Sequence, residues 1–270
     1  MYFVTLTTLI LLYGILALSL NLITGLAGQV SLGHAAFFGI GAYTLAYLMT
    51  LGVDFWAALA AAGAAAGLAG LLLGAVSLRL REDYLAIATI ALNFVVVALL
   101  LYLPYFGGAF GISNIASPFG SVGTGIMVLV AFVIVIVVHE RIRWSDLGLA
   151  LMAVKESEDA AQALGVDVRR FKMTAFAIGT AIAGVAGGLY AVYIGVIHPE
   201  DFGFPLSVTL LAMVAIGGMG TLWGPLLGAL VLGGFSQAFA FVQNYQLVLF
   251  GLLLALVMRY RPQGVVGRAW

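Results

Sequence analysis

The sequence predicts an all-α integral membrane protein: a multi-span helical bundle of about nine crossings, with discontinuous helices and one cytoplasmic loop. Three observations carry this expectation. Hydrophobic residues make up 64% of the 270 residues and charged residues 8%, where a soluble domain carries roughly 25% charged. No Asp, Glu, Lys or Arg precedes Asp54. Of the 11 basic and 11 acidic residues, twelve fall between Glu140 and Lys172. Residues 1–270 therefore read as one transmembrane domain with a single sizeable polar loop, about residues 140–172.

A hydrocarbon core of about 30 Å takes roughly 20 apolar residues per helix. Taken in order, the apolar runs are 3–24, 31–51, 55–78, 85–103, 122–138, 173–197, 205–216, 221–242 and 247–258. The first lacks a basic leader and continues into further apolar sequence, so it reads as a span and not as a cleaved signal. The seventh is short and reads as half of a broken helix. Basic residues occur at Arg79 and Arg81, from Arg141 to Lys172, and at Arg259, Arg261 and Arg268. The connections at Asp54, 104–121 and 198–204 have none. Positive loops stay cytoplasmic, which places the N-terminus outside and the three basic segments inside.

Several kinds of chemistry are excluded. The predicted spans hold no Asp, Glu, Lys or Arg, whereas proton-coupled carriers need such relays. His34 stands as the one titratable imidazole near a span interior and reads first as a helix-packing group. Sodium coupling through backbone carbonyls stays open. There is no phosphate-binding G-x-x-x-x-G-K-S/T loop, so if transport is ATP-driven the energy must come from another chain. Cys is absent, which removes disulfides and thiolate metal sites. No catalytic triad, metal cluster or cofactor motif is present, and zero net charge gives no reason to expect nucleic acid.

Two glycine-rich stretches interrupt the apolar runs. One holds Asn21, Gly25, Gly28, Gln29, Ser31, Gly33 and His34; the other holds Gly217, Gly220 and Gly224. Small residues let helices pack closely. Broken helices in transporters instead present free backbone groups to a solute. On the second reading, Asn21, Gly25, Gly28, Gln29, Ser31 and His34 line the solute path, with Gly217, Gly220 and Gly224 as counterparts. In the polar loop, Met152, Ala153, Ala160, Ala161 and Leu164 recur at roughly helical spacing, and Gly165 supplies a helix stop. A short amphipathic helix between spans suits docking into a cytoplasmic partner.

These motifs resemble one family. The run GLAGQVSLGHAAFFGIGAY from Gly25 to Tyr43 is similar to the signature of branched-chain amino acid type ABC importer permeases, M-type subunit. Gly107-Gly108-Ala109-Phe110-Gly111-Ile112 resembles its G-G-x-x-G-I/L element. Asp159, Ala160, Ala161 and Gly165 fall on the coupling-loop pattern E-A-A-x-x-x-G, with Asp for Glu. GGMGTLWGPLLG from Gly217 to Gly228 resembles the G-G-x-G-S/T-x-x-G-P-x-x-G element, and Arg261-Pro262-Gln263-Gly264 the R-P-Q-G ending. Two positions depart from the pattern: the fourth span has Leu92-Asn93-Phe94-Val95 where relatives often carry an acid, and Phe106 replaces a threonine.

The resemblance implies a transport subunit that is not itself an enzyme, in a bacterial or archaeal cytoplasmic membrane. Its expected partners are membrane lipid, a second homologous permease, two cytoplasmic ABC ATPases and an external solute-binding protein. Glu158, Asp159, Ala160, Ala161 and Gly165 become the ATPase-coupling residues. The charge-free interior favours a zwitterionic or neutral solute, first a branched-chain or other apolar amino acid. The alternatives are a permease for urea or short amides, or a stand-alone channel.

Overall fold

A computed structural model describes residues 2–77, 82–238, 245–261 and 263–267. Residues 78 and 239–242 of two predicted spans, and Arg79, Arg81, Pro262 and Arg268, lie outside the described residues. The architecture is helical, with no strand among the described residues beyond an isolated bridge between Ile112 and Ile197. In chain order the α-helices are α1 Tyr2–Asn21, α2 His34–Thr50, α3 Phe55–Ser77, α4 Glu82–Tyr102, α5 Gly120–Arg143, α6 Asp146–Glu156, α7 Glu158–Ala163, α8 Val168–Ile194, α9 Phe204–Gly217, α10 Trp223–Gly228, α11 Gly234–Ala238 and α12 Gln246–Tyr260. Wider π-turns follow α1 at Leu22–Leu26 and α10 at Ala229–Gly233.

Every predicted run meets a helix, but the count of nine crossings is not confirmed. Among the described residues, six segments are long and apolar enough to cross a bilayer: Phe3–Leu26, Phe55–Ala75, Tyr84–Tyr102, Gly120–Arg143, Val168–Ile194 and Pro199–Gly217. Helix α2, with 17 residues, is about 26 Å long and falls short of the hydrocarbon thickness. Trp223–Ser236 and Val248–Val257 are shorter still. The seventh predicted run does follow a break. A 3₁₀ turn at Pro199–Phe202 precedes α9, and Gly203 leads into it with extended backbone.

Helices α2, α3 and α8 form the centre, and small residues are what let them approach. A Cβ on Gly184 of α8 would strike Ala66 Cβ, with Ala62 O 2.6 Å away. A Cβ on Gly41 of α2 would strike the Gly184 backbone, and one on Gly187 would strike Phe38 O. Without hydrophobic driving force between helices in lipid, such backbone contact supplies the dispersion energy of association. Around it, Phe37, Phe38, Tyr43, Phe176 and Phe202 are buried in edge-on and tilted ring pairs.

The described basic residues gather toward one end. The C-terminal tail turns back on α9: Val265 N–H donates to Ile216 O at 2.8 Å and Val266 N–H to Gly217 O at 3.0 Å. Two carbonyls that the helix end leaves without an intrahelical partner are thereby satisfied. This puts Arg261, Gln263 and Gly264 beside the second glycine break, at the same end as the loop bearing α6 and α7.

Candidate functional site

The two glycine breaks, predicted separately, meet. Their junction is Asn21, at the last turn of α1. Asn21 Nδ2 donates to Thr221 O at 2.8 Å and lies 3.0 Å from His139 Nε2, while Oδ1 accepts the Gly220 N–H at 2.8 Å. With both amide hydrogens given away, His139 Nε2 is the acceptor, so its proton is assigned to Nδ1. Gly25 explains why the chain can come so close. A Cβ there would clash with Asn21 Oδ1 and sit 2.5 Å from Gly220 N. Gly28 has φ +71°, a left-handed conformation open to glycine at little cost.

From Leu22 the helix widens into π-turns and ends. Gln29 N–H bonds back to Ile23 O at 3.1 Å. The chain then crosses to the start of α2, where buried polar groups converge from other helices. Thr89 Oγ1 of α4 accepts from Leu32 N–H at 3.0 Å, and Ser207 Oγ of α9 accepts from Ala35 N–H at 2.9 Å. Ser19 Oγ of α1 lies 2.7 Å from His34 Nε2. Asn93 Nδ2 of α4 donates to Phe202 O at 3.0 Å. Gln29, Ser31, His34, Thr89, Asn93 and Ser207 are all buried. Among the described residues, Gln29 Oε1, Ser31 Oγ, His34 Nδ1, Asn93 Oδ1 and His139 Nδ1 are buried without a protein partner. An unmet buried polar atom costs about 1–3 kcal/mol, so this concentration of unused bonding capacity stands out against the apolar core.

The polar loop folds as two helices where the sequence predicts one. Ser157 makes the difference. Its backbone is extended, and its hydroxyl accepts the Ala160 N–H at 3.2 Å, capping α7. Ser145 caps α6 in the same way. Helix α7 ends at Ala163, and Gly165 follows with φ +85°. Leu151 of α6 packs with Leu22, Leu26 and Ala27 of the break and Ala175 of α8. Lys155 Nζ donates to Gly25 O at 2.8 Å. The residue as a whole is exposed, and the partial desolvation of its ammonium against the break shifts it below the usual lysine range.

The coupling residues read from the sequence divide by direction. Asp159, Ala160 and Gly165 are exposed. Ala161 is not; it is buried with Val154 and Val168, so its small size serves the chain's own packing. Glu158 forms an ion pair with Lys172, which is only 4% exposed. His34 also loses its singular status, because His139 is a second buried imidazole within a helix. The predicted fifth run stopped one residue short of it.

Sequence reasoning missed His139, Thr89, Asn93, Ser207 and Lys155. The first four carry one available signal: a lone polar side chain in an apolar helix is expensive to bury and faces the bundle interior. Lys155 had none, since one lysine in a charged loop looks like any other.

Residues 2–258 match the family described as branched-chain amino acid transport system / permease component. The chain belongs to this permease family. The permease is 38% identical to the high-affinity branched-chain amino acid transport system permease protein LivM of Escherichia coli (strain K12), over 97% of its own length and 69% of that protein's. It is 28% identical to the LivH permease protein of the same organism, over 95% of its length and 91% of that protein's. A probable LivM of Methanocaldococcus jannaschii is 27% identical over 94% and 90%. No solved structure matches the permease. It is a multi-pass membrane protein and a transport subunit, not an enzyme.

Proposed function

We propose that the chain is the M-type permease subunit of an ATP-driven importer for branched-chain or other apolar amino acids, in the cytoplasmic membrane of a bacterium or archaeon. It works with a second homologous permease, two cytoplasmic ABC ATPases and an external solute-binding protein, and lipid surrounds it. The observation that carries this reading is mechanical. The helix pair bearing the E-A-A-like pattern packs directly on the broken end of α1. Force applied to that pair by an ATPase dimer reaches the breaks without an intermediary. A stand-alone channel has no use for such a connection.

The proposed solute path runs past the start of α2. Gln29, Ser31 and His34, with Asn93 of α4, offer neutral donors and acceptors whose capacity the protein does not use. Neutral groups suit a zwitterion, which brings its own two charges and needs no fixed counter-charge in the membrane. Asn21, Gly25, Gly28, Gly217, Gly220 and Gly224 belong in this account to the hinge between the breaks. Urea or a short amide remains the second solute class, and the relatives' names give it no support. Leucine uptake by vesicles holding the assembled importer tests the choice. Excess valine or isoleucine is expected to suppress it strongly and excess urea to leave it unchanged; suppression by urea alone would reverse the assignment.

Accessibility tests the path itself. The native absence of Cys makes single cysteines clean reporters. Gln29→Cys and Ser31→Cys are expected to react with a small aqueous thiol reagent in at least one nucleotide state of the complex. Silence of both in the resting and ATP-bound states would place the path elsewhere.

Direction of exposure decides how the coupling face is probed. Ala160→Trp adds bulk on the exposed side, and is expected to keep the permease folded while cutting ATP-driven uptake about tenfold or more, an interface loss of about 1.4 kcal/mol. Ala161→Trp fills a buried site and is expected to lower thermal stability, by about 1–3 kcal/mol for overpacking. Melting in detergent beside uptake in vesicles checks both; equal melting losses would contradict the opposed directions.

A further inference from the structure

We propose that Lys155 is a positioning residue of the transport cycle: it ties the loop helix pair to the first glycine break, which Asn21 joins to the second, so that displacement of the pair is delivered to both. The proposal rests on the permease reading above and goes beyond it, since neither the coupling pattern nor the glycine motifs include this residue.

The geometry is specific. Lys155 lies in the last turn of α6, two residues before the extended Ser157 junction. Its side chain runs over Gly28: a Cβ added there would stand 3.1 Å from Lys155 Cγ and 3.5 Å from its Cβ. The ammonium ends on Gly25 O, at 2.8 Å. On the far side, a Cβ added to Gly220 would be 3.6 Å from Nζ. Gly28 thus leaves room for the lysine stem, and Gly220 stands within van der Waals reach of its ammonium. Gly25 lies within the π-turns, and a carbonyl at the frayed end of a helix carries partial negative charge that favours a cation.

The apolar contacts of Leu151 with Leu22, Leu26 and Ala27 bring α6 against the break, but apolar contact is non-directional and tolerates sliding. A charge-assisted hydrogen bond fixes one atom to another. Lys155 therefore converts a loose seat into a defined linkage. Across the linkage stands Asn21, which already bonds Gly220 and Thr221. Movement of α6 relative to α1 must then strain or release the junction of both breaks together. Glu158 and Lys172 fix the other end of the pair to α8, so the pair pivots between two charged attachments.

The test uses the assembled importer in vesicles, with ATP hydrolysis and uptake measured in the same preparation. Lys155→Met keeps the stem and removes the charged donor. It is expected to lower solute moved per ATP hydrolysed about tenfold, the scale of one charged hydrogen bond, while complex assembly persists. Lys155→Arg is expected to restore at least half of the ratio, since a cationic donor returns. A merely structural lysine would change the melting temperature and leave the ratio alone. A second measurement needs no variant. Lys155 and Lys172 are the chain's two lysines, so acylation by a water-soluble amine reagent, read by peptide mass, reports each one. Lys155 is expected to react at clearly different rates in the resting and ATP-bound complexes. Wild-type uptake per ATP in Lys155→Met, or equal acylation of Lys155 in both states, would overturn the proposal. If the wild-type complex itself shows no ATP-driven uptake, the permease reading fails first, which a loss confined to the methionine variant does not resemble.

Discussion

Replacing Gly184 by leucine is expected to abolish folded protein. Gly184 sits where α8 meets α2 and α3 at once: its own Cβ would strike Ala66 and Ala62 O, and its backbone is what a Cβ on Gly41 would strike. No rotamer of leucine avoids both neighbours, because the obstruction begins at Cβ. Separating the helices to make room sacrifices the close contact that associates them in lipid. A cost above about 4 kcal/mol follows, the range reserved for severe core disruption. The measurement is the yield of monodisperse, protease-resistant protein in detergent. Gly74→Ala is the control. Its nearest neighbour would be Met173 Cγ at 3.9 Å, so the substitution is expected to be neutral or to stabilise α3 by about 0.5–1 kcal/mol, the usual helix gain.

Asn21→Leu is expected to remove transport while leaving much of the bundle intact. Asn21 holds three partners: Gly220 N–H, Thr221 O and the His139 ring. Leucine has similar bulk and satisfies none of them. Hydrogen bonds between membrane helices average about 0.6 kcal/mol and reach about 1.7, so losing all three costs about 2–5 kcal/mol at one junction. The helices α2, α3 and α8 do not depend on it. Thermal melting is therefore expected to drop measurably without loss of the fold, and vesicle uptake to fall to background. Uptake within twofold of wild type would show that the two breaks need not be joined. A His139→Phe substitution removes one partner of the three and is expected to have the smaller effect.

The helices were legible because each predicted run is apolar over most of its length, and the charged loop was legible because the rest of the chain is so bare. What the sequence could not show is how elements meet. Asn21 lies 199 residues from Gly220 and 118 from His139, and nothing local to either position announces the contact. The likeness of the glycines at 25, 28 and 33 to those at 217, 220 and 224 suggests two related breaks, yet similarity in spacing carries no information about distance. The split at Ser157 was missed because the apolar period runs through it, while the backbone there follows a local serine cap. The inward face of Ala161 was missed for the same reason that Lys155 was: both depend on which side of a short helix lies against α8 and the π-turns, and eleven residues of weakly amphipathic sequence do not fix that side. The number of crossings is not confirmed because, among the described residues, α2 and the helices near the C-terminus are apolar enough but short.

ATP hydrolysed by partner chains is expected to move an amino acid through this permease by way of the helix pair α6 and α7. Vesicles offer one direct measurement: leucine accumulation by the chain alone, under an imposed proton or sodium gradient, against accumulation by the chain with its second permease, ATPases and solute-binding protein, supplied with ATP inside. The expected result is no accumulation in the first case and ATP-dependent accumulation in the second, abolished by a non-hydrolysable nucleotide. Accumulation by the isolated chain under either ion gradient would contradict the account and make the protein a secondary carrier.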